Sequence, residues 1–296
     1  MPSQLRVLQG VRLLSLALNL PGPAALMRCR QMGATCVKLE PPAGDPMHQY
    51  NGPAYARMHE GVKVVAADLK TEAGQKVLRR ELVKTDVLLT SFRPSALDKL
   101  GLGWKQLHTL YPALSQVAIV GAAGARAEEP GHDLTYLADN GLVPGLELPA
   151  TLYADMSGSL MASEAVLQAA LVRHERYAGS GENHPQGVLI EVALAGAAAY
   201  LSLPRQWGLT RPDGPVGGAH AGYRVYPCKD GRVAVAALEP HFAASLCKAA
   251  GVEGSDSRAM LQAATHTGIA AFFGSRTRAE LERLAVEHDI PLHCMR

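Results

Sequence analysis

The sequence predicts an α/β protein, a doubly wound parallel sheet in a large domain of residues 1–210, followed by a smaller α+β domain of residues 211–296. Three observations predict it. Short apolar strands alternate with helical stretches over the first two thirds of the chain. A Pro- and Gly-rich shift at Arg211-Pro212-Asp213-Gly214-Pro215-Val216-Gly217-Gly218 marks a linker, and a hairpin pattern follows it. A composition of 48% hydrophobic and 19% charged residues, with 29 Gly and 19 Pro, suits a loop-rich globular chain long enough to bury a core.

In order, Leu13 to Leu16 with Val11 reads as a buried strand, and Pro21-Gly22-Pro23 as a turn into a helix that runs to Met32. Gly33 stops that helix, and Thr35 to Leu39 completes a βαβ unit. The pattern recurs with a strand at Val64 to Ala67, a helix Glu72 to Lys84 capped by Thr71, and strands at Asp86 to Thr90 and Leu114 to Val120. A long helix spans Asp155 to Arg176. It leads through a turn at Gly179-Ser180-Gly181-Glu182-Asn183 to a strand Gly187 to Val192 and a small-residue helix Ala193 to Gln206. Alternation of this kind implies a Rossmann-like sheet. In the second domain Tyr223 to Tyr226 and Arg232 to Ala237 flank the turn Cys228-Lys229-Asp230-Gly231, with helices from Pro240, near Ser257 and at Arg278 to His288.

Composition excludes several classes. Lys plus Arg less Asp plus Glu is 29 − 27 = +2, without charge blocks, so no nucleic-acid partner is expected. Five cysteines without CxxC spacing indicate neither a disulfide framework nor a zinc ribbon. Arg12 interrupts the apolar run near the N-terminus, and Ala193 to Leu203 is too short to span a bilayer, so a cytoplasmic protein with no membrane partner is expected. Walker A, GxGxxG, HExxH and GxSxG motifs are absent from the sequence. A doubly wound sheet then binds its ligand in the crevice at the carboxyl ends of its strands. That directs attention to Ser91-Phe92-Arg93-Pro94, Gly121 to Gly124 and Gly131-His132-Asp133.

Leu16 to Pro23, followed by Met32 to Pro41 and Gly44-Asp45-Pro46, resembles the opening of the family III CoA-transferases. That group includes alpha-methylacyl-CoA racemase, formyl-CoA transferase and the carnitine and bile-acid CoA-transferases. Further segments agree in order: Ala67-Asp68-Leu69-Lys70, Asp86 to Leu89 with Ser91 to Pro94, Leu100 to Gly103, Gly131 to Tyr136, Ala154 to Gly158 and Ala236 to Pro240.

The resemblance implies the family's fold and a CoA thioester substrate. In the racemase branch it implies 1,1-proton transfer at the carbon beside the thioester, which needs two bases on opposite faces and hydrogen-bond donors for the enolate. His132 and Asp155 match the bases, and Glu239 the acid that holds the histidine, in a site between domains. The backbone N–H groups around Asp155, at a helix start, would face the enolate oxygen. Contacts with CoA carry over to Ala67, Asp68, Leu69 and Lys70, to Ser91, Phe92 and Arg93, and to Gly131, Asp133 and Tyr136, with Lys70 and Arg93 as phosphate partners. No cofactor beyond the CoA moiety and no metal is implied, and the family forms interlocked homodimers.

In the transferase branch Asp155 is instead a nucleophile that moves CoA between carboxylic acids through an aspartyl-CoA intermediate. The Gly-His-Asp and Leu-Glu-Pro runs favour the racemase branch. Each residue also has a plainer account: His132 is one of eleven histidines, Asp155 an N-cap contributing about 1 kcal/mol, Glu239 a first-turn acid, and Arg93 and Lys70 solvated charges. The sequence departs from the family at Pro41, where a basic residue is expected, in the thin basic run Glu60 to Lys63, and in the loop Gly121 to Arg126. The segment from His132 to Asp155 is short, and relatives are expected to continue past Arg296. A CoA-binding paralogue with a decayed site is therefore a third reading.

Overall fold

A computed structural model describes residues 5–179 and 186–296. The chain divides into two compact units, Met1–Ser202 and Leu203–Arg296, a division that falls inside a helix rather than at the composition shift near Arg211.

The first unit runs β1 (Arg12–Ser15), α1 (Pro21–Gln31), β2 (Thr35–Glu40), α2 (Pro46–Tyr50), α3 (Gly52–Met58), β3 (Lys63–Ala66) and α4 (Glu72–Leu82). It continues with β4 (Val87–Thr90), α5 (Pro94–Lys99), α6 (Trp104–Leu110), β5 (Ser115–Val120), α7 (Asp133–Asp139), α8 (Tyr153–Gly179), β6 (Leu189–Ala193) and the greater part of α9 (Leu194–Gln206). The six strands form one parallel sheet in the order β3-β2-β1-β4-β5-β6. The chain thus winds outward from β1 in one direction and from β4 in the other. A crevice opens at the carboxyl ends where that order reverses.

Alternation along the strands builds a core on each face. Leu13, Leu89 and Ile119 point to one face with Ala25, Leu26 and Cys29 of α1 and Ala162, Ala165 and Val166 of α8. Leu14, Leu88 and Leu39 point to the other, with Leu78 and Leu82 of α4 and Leu107 of α6. A strand buried on both faces has no polar side to show, which is why Val87–Thr90 and Ser115–Val120 are buried throughout.

The elements depart from expectation where local signals were ambiguous. Pro21-Gly22-Pro23 is the first turn of α1, because a proline at the first helical position sacrifices an N–H that has no intrahelical partner. The long helix begins at Tyr153, so Asp155 lies in its first turn instead of capping it. Thr71 does cap α4, its Oγ1 accepting the Gly74 N–H at 3.1 Å. The short helices α2, α3, α5, α6 and α7 were too brief to show a periodicity of their own. Most of the turn at Gly179 to Asn183 lies outside the described residues.

The second unit holds an antiparallel sheet, β7 (Tyr223–Cys228), β8 (Gly231–Ala236) and β9 (Leu292–Met295), in that order, with α10 (Pro240–Ala250), α11 (Ala263–Gly274) and α12 (Arg278–His288). Val233, Val235, Leu246, Ile269, Phe273 and Leu281 form its core. β9 was not foreseen, and the helix expected near Ser257 is a single 3-10 turn at Ala259–Leu261 that precedes α11. No described helix is long and apolar enough to cross a membrane.

Candidate active site

The loops after β1, β4, β5 and β6 line a cavity of about 300 Å³ in the first unit. It brings together Ser91, Phe92, Arg93, Gly131, His132, Tyr136 and Asp155 from the sequence-derived set, and adds Asn19 and Gly121.

Asp155 owes its place to the first turn of α8, where its half-buried carboxyl joins the cavity wall. Burial, reinforced by the negative charge of Asp133 and opposed by His132, pushes that carboxyl up to about 6. The buried Asp133 carboxylate accepts the Asp155 backbone N–H at 3.0 Å. This corrects the expectation that the Asp155 N–H is available to an enolate oxygen, since a protein carboxylate already satisfies it. Asp133 is thereby occupied locally, supplying a cap to α8 from the first position of α7.

His132 is exposed and sits just before α7 in extended conformation. Its N–H donates to Thr135 Oγ1 at 3.0 Å, and the Thr135 hydroxyl donates back to the His132 carbonyl at 2.8 Å. The loop is shaped by Tyr136. A Cβ on Gly131 or on Gly121 would run into the Tyr136 ring or hydroxyl, so glycine at both positions makes room for that side chain. Burial, with the Asp155 charge beside it, raises the Tyr136 phenol above its usual range.

Ser91 Oγ accepts the Leu18 N–H at 3.1 Å, so the hydroxyl braces the loop after β1 as well as lining the cavity. Arg93 is exposed at the N-terminus of α5. There the Glu128 carboxylate accepts the Ser95 N–H at 2.7 Å and hydroxyl at 2.8 Å, tying the loop after β5 to α5. Ala67, Asp68, Leu69 and Lys70 follow β3, at the edge of the sheet two strands from β1, and are not among the cavity's lining residues. Asp68 is occupied with its own turn, accepting the Lys70 N–H at 3.0 Å, while its backbone carbonyl accepts the Thr71 hydroxyl at 2.8 Å. Glu239 belongs to the second unit, exposed at the N-cap of α10 without a side-chain cap bond.

Sequence reasoning missed a buried polar cluster that one hydrogen bond, Asn19 N–H to Asp45, ties to the cavity lining. The fully buried Lys38 ammonium donates to Asp45 Oδ2 at 2.5 Å and His59 Nε2 at 2.9 Å, and pairs with Glu40 Oε1 at 3.0 Å. Tyr55 donates its hydroxyl to Glu40 at 2.9 Å, and His59 Nδ1 reaches the Tyr55 carbonyl at 2.7 Å. Burial lowers the His59 imidazole and Lys38 adds to that, so the ring stays neutral and accepts from the ammonium. Glu40, Asp45 and His59 bring ligand atoms within 4.8 Å of one another, the spacing of a metal site. Lys38 supplies the cation there, so the donors are already satisfied.

A Rossmann-like sheet whose switch-point cavity holds a proton-affine carboxyl and a histidine has the makings of an acid-base site. The chain belongs to CoA-transferase family III, whose sequence model matches residues 8–296. It is 29% identical over 295 residues to alpha-methylacyl-CoA racemase of Mus musculus, covering 93% of this chain and 74% of that one. It is 31% identical over 206 residues to succinyl-CoA:D-citramalate CoA-transferase of Chloroflexus aurantiacus, covering 64% of this chain and 49% of that one. The chain therefore spans about half the length of that transferase and about three quarters of the racemase. In fold it matches the hypothetical protein Rv3272 from Mycobacterium tuberculosis, with a TM-score of 0.81 and 23% identity over 98% of this chain and 85% of that one. Homologues at about 30% identity thus include both racemases and CoA-transferases.

Proposed function

We propose that this protein catalyses 1,1-proton transfer at the α-carbon of an acyl-CoA thioester, as an alpha-methylacyl-CoA racemase does. The observation that carries the proposal is the Asp155 carboxyl, raised to about 6 in the cavity it shares with His132. A racemase must run in both directions, so its two bases need similar proton affinities, and a carboxyl raised to about 6 is a much stronger base than an ordinary one at 3.8.

In one direction the Asp155 carboxylate takes the α-proton, and the electron pair of the C–H bond moves into the thioester as an enolate. The His132 imidazolium returns a proton to the opposite face, leaving a neutral imidazole, a protonated Asp155 and an inverted α-carbon. In the other direction the roles exchange. Arg93, exposed at the cavity, is assigned to a CoA phosphate, and Tyr136 offers a hydroxyl donor for the enolate oxygen from within the cavity lining. The substrate class is acyl-CoA, and the step needs no cofactor beyond its CoA moiety. Exposed Met156, Leu160 and Met161 on α8 support a homodimer, which a gel-filtration mass of one chain would overturn.

The test is α-deuterium incorporation into a 2-methylacyl-CoA in deuterated water without an acceptor acid, with Asp155→Ala alongside. Exchange that collapses in the variant supports proton transfer. The Chloroflexus relative favours a second reading, in which the Asp155 carboxylate attacks the thioester carbonyl and expels CoA thiolate to form an acyl anhydride. The thiolate then attacks the aspartyl carbonyl, expelling the donor acid as its carboxylate and leaving an aspartyl thioester, from which an acceptor carboxylate takes the CoA by the reverse pair of steps. Absent exchange combined with acid-dependent CoA transfer would establish that reading instead. Binding of acyl-CoA with neither activity would indicate a decayed site.

A further inference from the structure

The motif Lys38-Leu39-Glu40 with Gly44-Asp45-Pro46 has no role in the proton-transfer chemistry, yet it is the most deeply buried ionic feature among the described residues. Lys38 is fully buried and Asp45 is 1% exposed. Burying two charges demands that every lone pair and proton be satisfied, and such a pair is poor evidence for stability alone. Its hydrogen bonds show where the constraint goes. Asp45 Oδ2 takes the Lys38 ammonium, while Oδ1 accepts two backbone N–H groups, Met47 at 2.9 Å and Asn19 at 2.9 Å. The Met47 bond caps α2. The Asn19 bond crosses from the loop after β2 to the loop after β1.

Asn19 is one of two described non-glycine residues with positive φ, at 65°. That left-handed conformation disfavours side chains bearing a Cβ, and asparagine tolerates it better than most. Asn19 lines the cavity that contains Asp155 and His132. The residue before it is held from another strand, because Ser91 Oγ accepts the Leu18 N–H at 3.1 Å. Two successive backbone N–H groups at the cavity wall are therefore pinned by side chains from β2's loop and from the end of β4.

We propose that Asp45, itself anchored by Lys38, is a positioning residue for the acyl-CoA cavity. It holds the Asn19 main chain in the left-handed conformation and so fixes the wall formed by Leu18 and Asn19. The carboxylate is needed because one oxygen must serve the backbone while the other neutralises the ammonium. An amide at position 45 has a single acceptor oxygen, so Asp45→Asn leaves either Lys38 or the two N–H groups facing an NH2 donor. Glu40 and His59 remain as partners of Lys38 in that variant, so the buried ammonium keeps a counter-charge.

The inference rests on the proton-transfer reading for its activity measurement, so affinity is measured beside it. Wild type, Asp45→Asn, Asn19→Gly and the double variant are compared for exchange kcat and KM with a 2-methylacyl-CoA, for its dissociation constant by calorimetry, and for the urea unfolding midpoint. Asp45→Asn is expected to lower kcat/KM at least tenfold at temperatures where it is fully folded. Asn19→Gly, which enters the left-handed region unaided, is expected to restore the double variant to within about threefold of the Asn19→Gly single variant. An Asp45→Asn protein within twofold of wild type, or a loss that glycine at 19 leaves untouched, overturns the proposal and leaves the cluster a purely structural one. If wild type binds the thioester but exchanges nothing, the proton-transfer reading falls. Positioning is then judged on the dissociation constant, where a tenfold loss restored by glycine supports it and any other pattern overturns it.

Discussion

Replacing Asp155 by asparagine should abolish proton transfer and, at neutral or alkaline pH, make the protein more stable. The carboxyl is displaced upward from 3.8 to about 6, principally by burial and next by Asp133. Roughly two units at about 1.4 kcal/mol each amount to about 3 kcal/mol. The sign is the reverse of an ordinary salt-bridged aspartate. Between 3.8 and about 6 the folded state binds the proton that the unfolded chain has released, so stability falls as pH rises through that window and the full penalty is carried above it. Asparagine is never charged, and its backbone N–H still reaches Asp133. Asp155→Asn should therefore exceed wild type by about 2–3 kcal/mol at pH 8 and match it at about pH 3, below the unfolded-chain value of 3.8. Urea unfolding at both pH values, read at equal m, measures the difference, because titrating groups that do not interact with Asp155 cancel between the two proteins. Parallel stability-against-pH curves for wild type and variant would refute the argument that Asp155 is held at a cost in the native state.

The same displacement shapes the rate. As a base, Asp155 must be ionised, so the acid limb of the exchange kcat/KM profile should rise through a midpoint near 6, with the need for a protonated His132 bringing the rate down again at higher pH. Asp133→Asn keeps an acceptor for the Asp155 N–H but removes the second largest cause of the shift, and a pH–rate profile should show that midpoint moving below 6. His132→Gln should reduce racemisation by about 10² to 10⁴-fold in a polarimetric or chiral-chromatographic assay, the range for loss of a general acid-base group. Gly131→Ala drives a methyl group into the Tyr136 ring; thermal or urea unfolding should show a loss of about 1–3 kcal/mol, accompanied by slower exchange.

How much of this was legible beforehand follows from the range over which each signal acts. Leu13–Leu14 and Leu88–Leu89 face opposite cores, and uninterrupted apolar pairs of that kind announce strands buried on both sides without any tertiary knowledge. β9 escaped because four residues, Leu292–Met295, become a strand only through pairing with Arg232 to Val235, far back along the chain. The cavity residues were found through the order of short segments along the chain, not through anything their own neighbourhoods display. His132 looks like a loop histidine, and Asp155 differs from a capping aspartate only by its place inside the first turn of the helix. What local sequence could not supply was the division of roles within the site. Asp133 stands next to His132 and invites a part in substrate binding, yet its carboxylate is turned to the N-terminus of α8 and thereby helps to set the proton affinity of Asp155. Asn19 and Asp45 are 26 residues apart, and their bond exists only because parallel pairing of β1 with β2 carries both following loops to the same end of the sheet. A hydrogen bond of that kind is a consequence of topology. The residues that hold an active site in shape are therefore read last, after the sheet order is known, even when the residues that perform its chemistry can be picked out first.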